Sequence, residues 1–252
     1  MLSQSKVNRI SKFDREMLDA PITVRVVFQK TGNLQYFSHL DLQRTWQRVL
    51  VRASIPMWYT QGFNPHSKIT FGVPLPVGSE GMNEMVDLRI DRKITCAEIK
   101  NQLNAELTGE MQVSEVYIPK TAFSDIAWGT YEITIKTPGD PIDLAKAING
   151  LFTKDAEPIV MTKRSKSGDK EVNILPMIHS AKAVADGTGL IRLRATLRAG
   201  NTENLNPEYL IKAMQDRLGI LPEGGDVSEV WYRILRTGFH DEQGVAVGKW
   251  FR

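Results

Sequence analysis

In the stretch ITVRVVFQKTGNLQYFSHLDLQRTWQRVLVRA, residues 22–53, one hydrophobic period gives way to another. Over ITVRVVFQK, Val24, Val26 and Phe28 alternate with Arg25 and Gln29, the period of two that belongs to a strand with one buried face. The KTGN turn ends it. From Ser38 to about Ala53 the apolar residues Leu42, Trp46, Val49, Leu50 and Ala53 recur at helical spacing, and Ser38 with Asp41 three positions on reads as a shortened capping box. A strand, a turn and a capped helix therefore open the fold.

The same order continues outward. IPMWYTQGFNPHSKITFGVPLPVGS reads as a strand, a Gly/Pro loop and a short second strand, and EMVDLRI alternates with Val86, Leu88 and Ile90 on one side. Thr95 and Glu98 open a second helix that buries Ile99, Leu103 and Leu107, and QVSEVYIP closes the set as a strand. The second half repeats it. TYEITIKT is a strand, DPIDLAKAINGLF a helix with Asp140 as N-cap and Pro141 at its first position, and PIVMTKRSKSGDKEVNILPMI a basic hairpin. LIRLRATLR alternates strictly, NPEYLIKAMQDRLG is a helix capped by Asn206, begun by Pro207 and stopped by Gly219, and SEVWYRILR is the last strand. The predicted class is α+β: two tandem ferredoxin-like (split β-α-β) units with antiparallel sheets. Residues 1–21, without sustained periodicity, are expected to be a flexible arm, 22–124 the first unit and 125–252 the second, with the boundary near 121–130.

Composition narrows the chemistry. Of 252 residues 42% are hydrophobic and 24% charged, a globular balance, and no apolar run approaches the ~20 residues needed to cross a bilayer. The N-terminus lacks the apolar core of a secretory signal, so a cytoplasmic protein is expected, with no membrane partner. One cysteine, Cys96, is too few for a disulfide framework, a CxxC zinc site or the three-thiolate iron–sulfur cluster of a radical-SAM enzyme. The net charge of +3 is too small to argue for nucleic acid by itself. Its distribution says more.

Three clusters carry candidate function. Arg44, Arg48 and Arg52 form a cationic stripe on the first helix, a phosphate grip or else a solvated face. Residues 158–200 hold Lys163, Arg164, Arg192, Arg194 and Arg198 among eight basic residues; the last three project from one sheet face, an RNA surface or else a set of cross-strand ion pairs. The aromatic signature of an RNA-recognition motif is absent, so sequence-specific stacking is not expected. SHLD at 38–41 and GFNPHSK at 62–68 place Ser38, His39, Asp41, Asn64, His66 and Lys68 at a helix start and on a loop. That set suits an anion pocket or acid/base catalysis by His39, Asp41 or His66, and equally a helix cap and a locked loop. His39 and Asp41 are two apart and diverge on a helix, which argues against a metal.

Together these stretches resemble the bacterial radical-SAM-linked family, a domain of unknown function that pairs with or is fused to a B12-type radical-SAM protein. The resemblance rests on K-x-G-x-L (Lys30, Gly32, Leu34), S-H-L-D (Ser38 to Asp41), Arg44, G-F-N-P (Gly62, Phe63, Asn64, Pro65), P-L-P-x-G (Pro74, Leu75, Pro76, Gly78) and Glu84. His66 and Ser67 depart from the basic residue and proline that often follow G-F-N-P in that family. The resemblance implies a radical-SAM partner that performs the chemistry, while this chain, without a cofactor of its own, binds or presents the substrate. The leading expectation is an accessory protein that presents structured RNA for modification. A His-dependent enzyme acting on an RNA phosphodiester or small anion, and a protein adaptor docking through Trp58, Tyr59 and Phe63, are the alternatives.

Overall fold

The computed structural model describes residues 14–163, 168–200 and 203–247. The chain divides into two compact units, the first ending at Phe123 and the second running Ser124–Val247. Both are α+β, with antiparallel strand pairing and two helices each among the described residues.

The first unit contains β1 (Met17–Lys30), α1 (His39–Arg52), β2 (Ile69–Phe71), β3 (Ser79–Arg92), α2 (Cys96–Asn104) and β4 (Val113–Tyr117). β1 pairs with β3 on one edge and β4 on the other, and β2 lies along the far edge of β3, giving the order β4-β1-β3-β2. Trp46 of α1 sits fully buried, edge-on to Phe28 of β1 at 4.9 Å, amid Val26, Leu88, Ile90, Ile99 and Leu103. Each helix begins where its cap dictates: Thr95 Oγ1 accepts from the Glu98 N–H at 3.1 Å while the Glu98 carboxylate takes the Thr95 N–H at 2.9 Å.

The second unit contains β5 (Trp128–Lys136), α3 (Pro141–Leu151), β6 (Val160–Lys163), β7 (Lys170–Asn173), β8 (Ile178–Ala185), β9 (Ile191–Arg198), α4 (Glu208–Leu218), β10 (Trp231–His240) and β11 (Ala246–Val247). The main sheet runs β10-β5-β9-β8, with β11 added to β10, and β6 and β7 form a separate hairpin. Asp140 caps α3 by accepting from the N–H groups of Ile142 and Asp143. Asn206 Oδ1 accepts from the Glu208 N–H at the start of α4, and Gly219 ends it at φ +65°, a conformation that favours glycine.

Four features differ from the sequence expectation. β1 starts at Met17, so residues 17–21 belong to the sheet, and just before it Arg15 bonds Glu98 while Glu16 pairs with Lys93 at the surface. Residues 1–13 of the expected arm lie outside the described residues. The strand read at IPMWYT reduces to single bridges, Met57 to Ile90 and Tyr59 to Ser67. β8 has no counterpart in the sequence expectation: only Ile178 and Ala183 of it are buried, its inward positions past Ser180 are alanines, and it pairs with β9. β1 is buried on both faces from Val24 to Phe28, so Arg25, expected to face water, is 1% exposed. It forms a bidentate pair with Asp87 at 2.7 and 2.8 Å, donates to the Thr121 carbonyl at 3.1 Å and lies 4.0 Å from the Phe123 ring centroid.

Candidate functional site

Ser38 ends the extended segment before α1 and caps it. The Asp41 N–H donates to Ser38 Oγ at 3.2 Å, and Asp41 Oδ2 accepts from the Ser38 hydroxyl at 2.6 Å and from its N–H at 3.3 Å. These bonds from Ser38 hold the Asp41 carboxyl below the usual carboxylate range. Asp41 is thus committed to the helix start, and its charge already occupies the position an incoming anion would take.

His39 is exposed and sits edge-on to Phe71, ring centroids 5.3 Å apart. Beneath it lies a narrow hollow in the first unit lined by Lys30, Ser38, His39, Phe71, Pro74 and Glu84, among others. The separated motifs K-x-G, S-H-L-D, P-L-P and the downstream acid converge here. Lys30 is 1% exposed and its Nζ donates to the carbonyls of Gln35 and Ser79, each at 3.4 Å. Glu84 is buried, as is Glu80, whose Oε1 accepts from the Gly32 N–H at 2.6 Å. Gly32 has φ +60°, a backbone conformation that favours glycine, and a Cβ there would displace the Glu110 carboxylate. Lys30 thus ties the segment before α1 to the start of β3, and Glu80 fixes the Gly32 turn.

The G-F-N-P loop is built differently. The His66 N–H donates to Thr60 Oγ1 at 3.1 Å, and His66 Nδ1 lies 3.1 Å from the same hydroxyl and 3.3 Å from the Asn64 carbonyl. His66 therefore locks its own loop. No hydrogen bond or ring contact among the described residues joins His66 or Asn64 to His39 or Asp41, and neither lines the hollow. Lys68 is exposed, and Phe63 at the loop tip is fully exposed. On α1, Arg44, Arg48 and Arg52 are all exposed; Arg52 pairs with Glu106 at 3.0 Å, Arg44 lies within the field of Asp41, and Arg48 has no ion pair among the described residues.

In the second unit Arg192, Arg194 and Arg198 share one face of β9, with Leu193, Ala195 and Leu197 buried on the other. Arg192 pairs with Asp186 at 3.2 Å and Glu132 at 3.1 Å. Bonds from Thr188, and secondarily Leu190 and Arg192, hold the Asp186 carboxyl low. Arg198 pairs with Glu203 and Glu242 and lies 3.9 Å from the Trp128 ring centroid. Arg194 is exposed and stands directly opposite Lys182 of β8, also exposed, on one side and directly opposite Glu132 of β5 on the other; neither cation has an ion pair among the described residues, Glu132 being paired with Arg192. Lys163 ends β6 opposite Lys170, its side chain outside the described residues, as is Arg164.

Lys182 counts among the eight basic residues of 158–200, but the sequence reading does not place it opposite Arg194, because it does not read β8 as a strand. Sequence reading also missed a groove of about 430 Å3 where Trp128 and His179 meet, ring centroids 5.2 Å apart. Among the described residues no group of three or more His, Cys, Asp or Glu is placed to hold a metal, and no helix is long and apolar enough to cross a membrane.

No curated protein matches this chain. The family model described as an uncharacterized protein conserved in bacteria (DUF2344) matches residues 23–207, well over half the chain and every motif that converges on the hollow, so the chain belongs to that family.

Proposed function

We propose that this protein binds structured RNA through backbone phosphates and presents it, in the cytoplasm, to a radical-SAM enzyme that modifies it. The observation that carries RNA binding is the Lys182–Arg194 pair. Like charges directly opposite on neighbouring strands destabilise a sheet. Here they face outward with Arg192 and Arg198 on the same surface. An anionic ligand offsets that repulsion, and a run of phosphates matches a row of cations on adjacent strands. Arg44 and Arg48 on α1 extend the basic surface of the first unit, while Arg192 and Arg198 are positioned by their acidic partners. Support for the radical-SAM partner comes from the resemblance carried by Lys30 to Glu84. We also infer that both units are ferredoxin-like, since β4-β1-β3-β2 and β10-β5-β9-β8 follow the same antiparallel order relative to their chain direction.

The enzyme alternative now rests on His39 alone at the hollow, since His66 is engaged in its own loop. The adaptor alternative is favoured by one observation, the fully exposed Phe63. Affinity for a structured RNA, measured across a salt series, tests the reading. A steep log-linear fall is expected, with Lys182→Ala plus Arg194→Ala reducing the slope by about 1.5–2. Salt-independent affinity, or no binding at low salt, overturns it and leaves the adaptor. RNA turnover by the isolated chain that disappears in His39→Ala replaces the presenter with the enzyme.

A further inference from the structure

The groove at Trp128 belongs to the second unit and is assigned no role by the reading above. Its volume of about 430 Å3 lies within the roughly 300–1,000 Å3 typical of sites for small organic ligands. Trp128 and His179 make an aromatic wall, their planes tilted by 54°. The Arg198 guanidinium stacked on the indole, held by Glu203 and Glu242, keeps that wall in place. Leu175 and Pro176 add aliphatic contact. Asn173 lines the groove and spends its Oδ1 on the N–H groups of Ile159 and Leu175, both at 3.2 Å, which leaves its amide NH2 as a donor. Lys154, also in the lining, is exposed and has no ion pair among the described residues.

The lining thus offers an aromatic wall, one amide donor and one unpaired ammonium. An apolar ligand would leave the last two unused, and an inorganic anion would leave the wall unused. A heteroaromatic ring with acceptor atoms, joined to a phosphate, engages all three. We propose that the groove is a mononucleotide site: the base packs on Trp128 and His179, a base acceptor takes the Asn173 NH2, and the phosphate meets Lys154. Stacking and a single cation select a nucleotide over other anions without reading a particular sequence. A free nucleotide and one unpaired nucleotide of an RNA present the same chemistry, and only the second source rests on the RNA reading.

The test uses the full chain with two probes: free adenosine and uridine 5′-monophosphates observed by saturation-transfer NMR, and two RNA hairpins identical except for one bulged nucleotide. Transfer to the free nucleotides is expected, with loss in Trp128→Leu and Lys154→Glu. The bulged hairpin should bind at least ~5-fold tighter than the paired one, the low end of what one stacked base contributes. His179→Ala should remove that preference, whereas Lys182→Ala plus Arg194→Ala should weaken both hairpins alike. His179 and Lys154 are exposed, so their variants decide the matter if Trp128→Leu fails to fold. Nucleotide binding without hairpin binding supports the groove and overturns the RNA reading. A bulge preference lost in His179→Ala, with no transfer to free nucleotides, supports the groove as an RNA subsite. Equal hairpin affinities with no nucleotide transfer, or binding unchanged in the His179 and Lys154 variants, overturn the groove proposal and leave the RNA reading intact.

Discussion

Asp87→Ala should destabilise the first unit far more than the loss of one surface carboxylate. Arg25 is 1% exposed and the Asp87 side chain 17%, with two parallel hydrogen bonds between them. Burial works against the Arg25 charge, and the Asp87 bonds and charge outweigh it, so the guanidinium is held above its ordinary value. Its Nη1 is buried without a hydrogen-bond partner among the described residues, and besides Asp87 the guanidinium has the Thr121 carbonyl and the Tyr117 hydroxyl. Removing Asp87 leaves a buried cation facing the Thr121 carbonyl, the Tyr117 phenol and the Phe123 ring, none of them a full negative charge at neutral pH. Breaking a buried pair this way costs about 3–5 kcal/mol, and the partial exposure of Asp87 places the expectation at the lower end, about 3 kcal/mol. Hydrogen exchange at the amides of Val24 to Phe28 is the direct assay. By the conversion of about 1.4 kcal/mol per tenfold, exchange should accelerate about 100-fold. Arg25→Met with Asp87→Leu should restore most of the protection, because a thioether packs on Phe123 and no charge is left buried. Acceleration below about 3-fold in Asp87→Ala would mean that water reaches the pair and the charge is not stranded. A double variant as exposed as Asp87→Ala would locate the effect in shape rather than charge.

Other consequences are quickly checked. Tyr232 donates to Glu208 at 2.9 Å, and burial, followed by the Glu208 charge, pushes its phenol up to about 12. The folded value lies above the unfolded value near 10, so the stability it contributes is whole below about pH 10 and lost between about 10 and 12. Absorbance titration should show this, and Glu208→Gln should lower the phenol value while leaving stability at pH 7 equal or better, since burial pushes the Glu208 carboxyl up. A Tyr232 titration unmoved by Glu208→Gln would refute the coupling. Thr95→Ala removes the acceptor of the Glu98 N–H and should cost about 1 kcal/mol in thermal denaturation. His39→Ala and His66→Ala, both at exposed positions, should each stay within about 1 kcal/mol of wild type. If His39 serves the function it should nonetheless abolish partner-dependent modification, whereas early unfolding of either variant would assign that histidine to the scaffold.

What the chain order determines by itself is local. The starts of α1, α2 and α3 follow from Ser38, Thr95 and Asp140 because each cap closes between residues two or three positions apart. The end of α4 follows from Gly219, and the inward and outward faces of β9 follow from strict alternation. Such features need no distant partner, so composition and spacing suffice to read them. The tertiary structure decided the rest. Alternation marked Arg25 as exposed, and only the return of Thr121 and Phe123 over that face buries it. β8 pairs with β9 along its length, and its inward residues Ala181, Ala183 and Ala185 are too small to announce that strand by hydrophobic pattern. The arginines of β9 divide in the same way: Glu132, Asp186, Glu203 and Glu242 claim Arg192 and Arg198, and Arg194 is left opposite Lys182. Lys30 reads as one cation among many until Gln35 and Ser79 close over it. Periodicity reports which side of an element is apolar; which distant segment covers the other side depends on chain closure over tens of residues, and that is settled only when the whole unit packs.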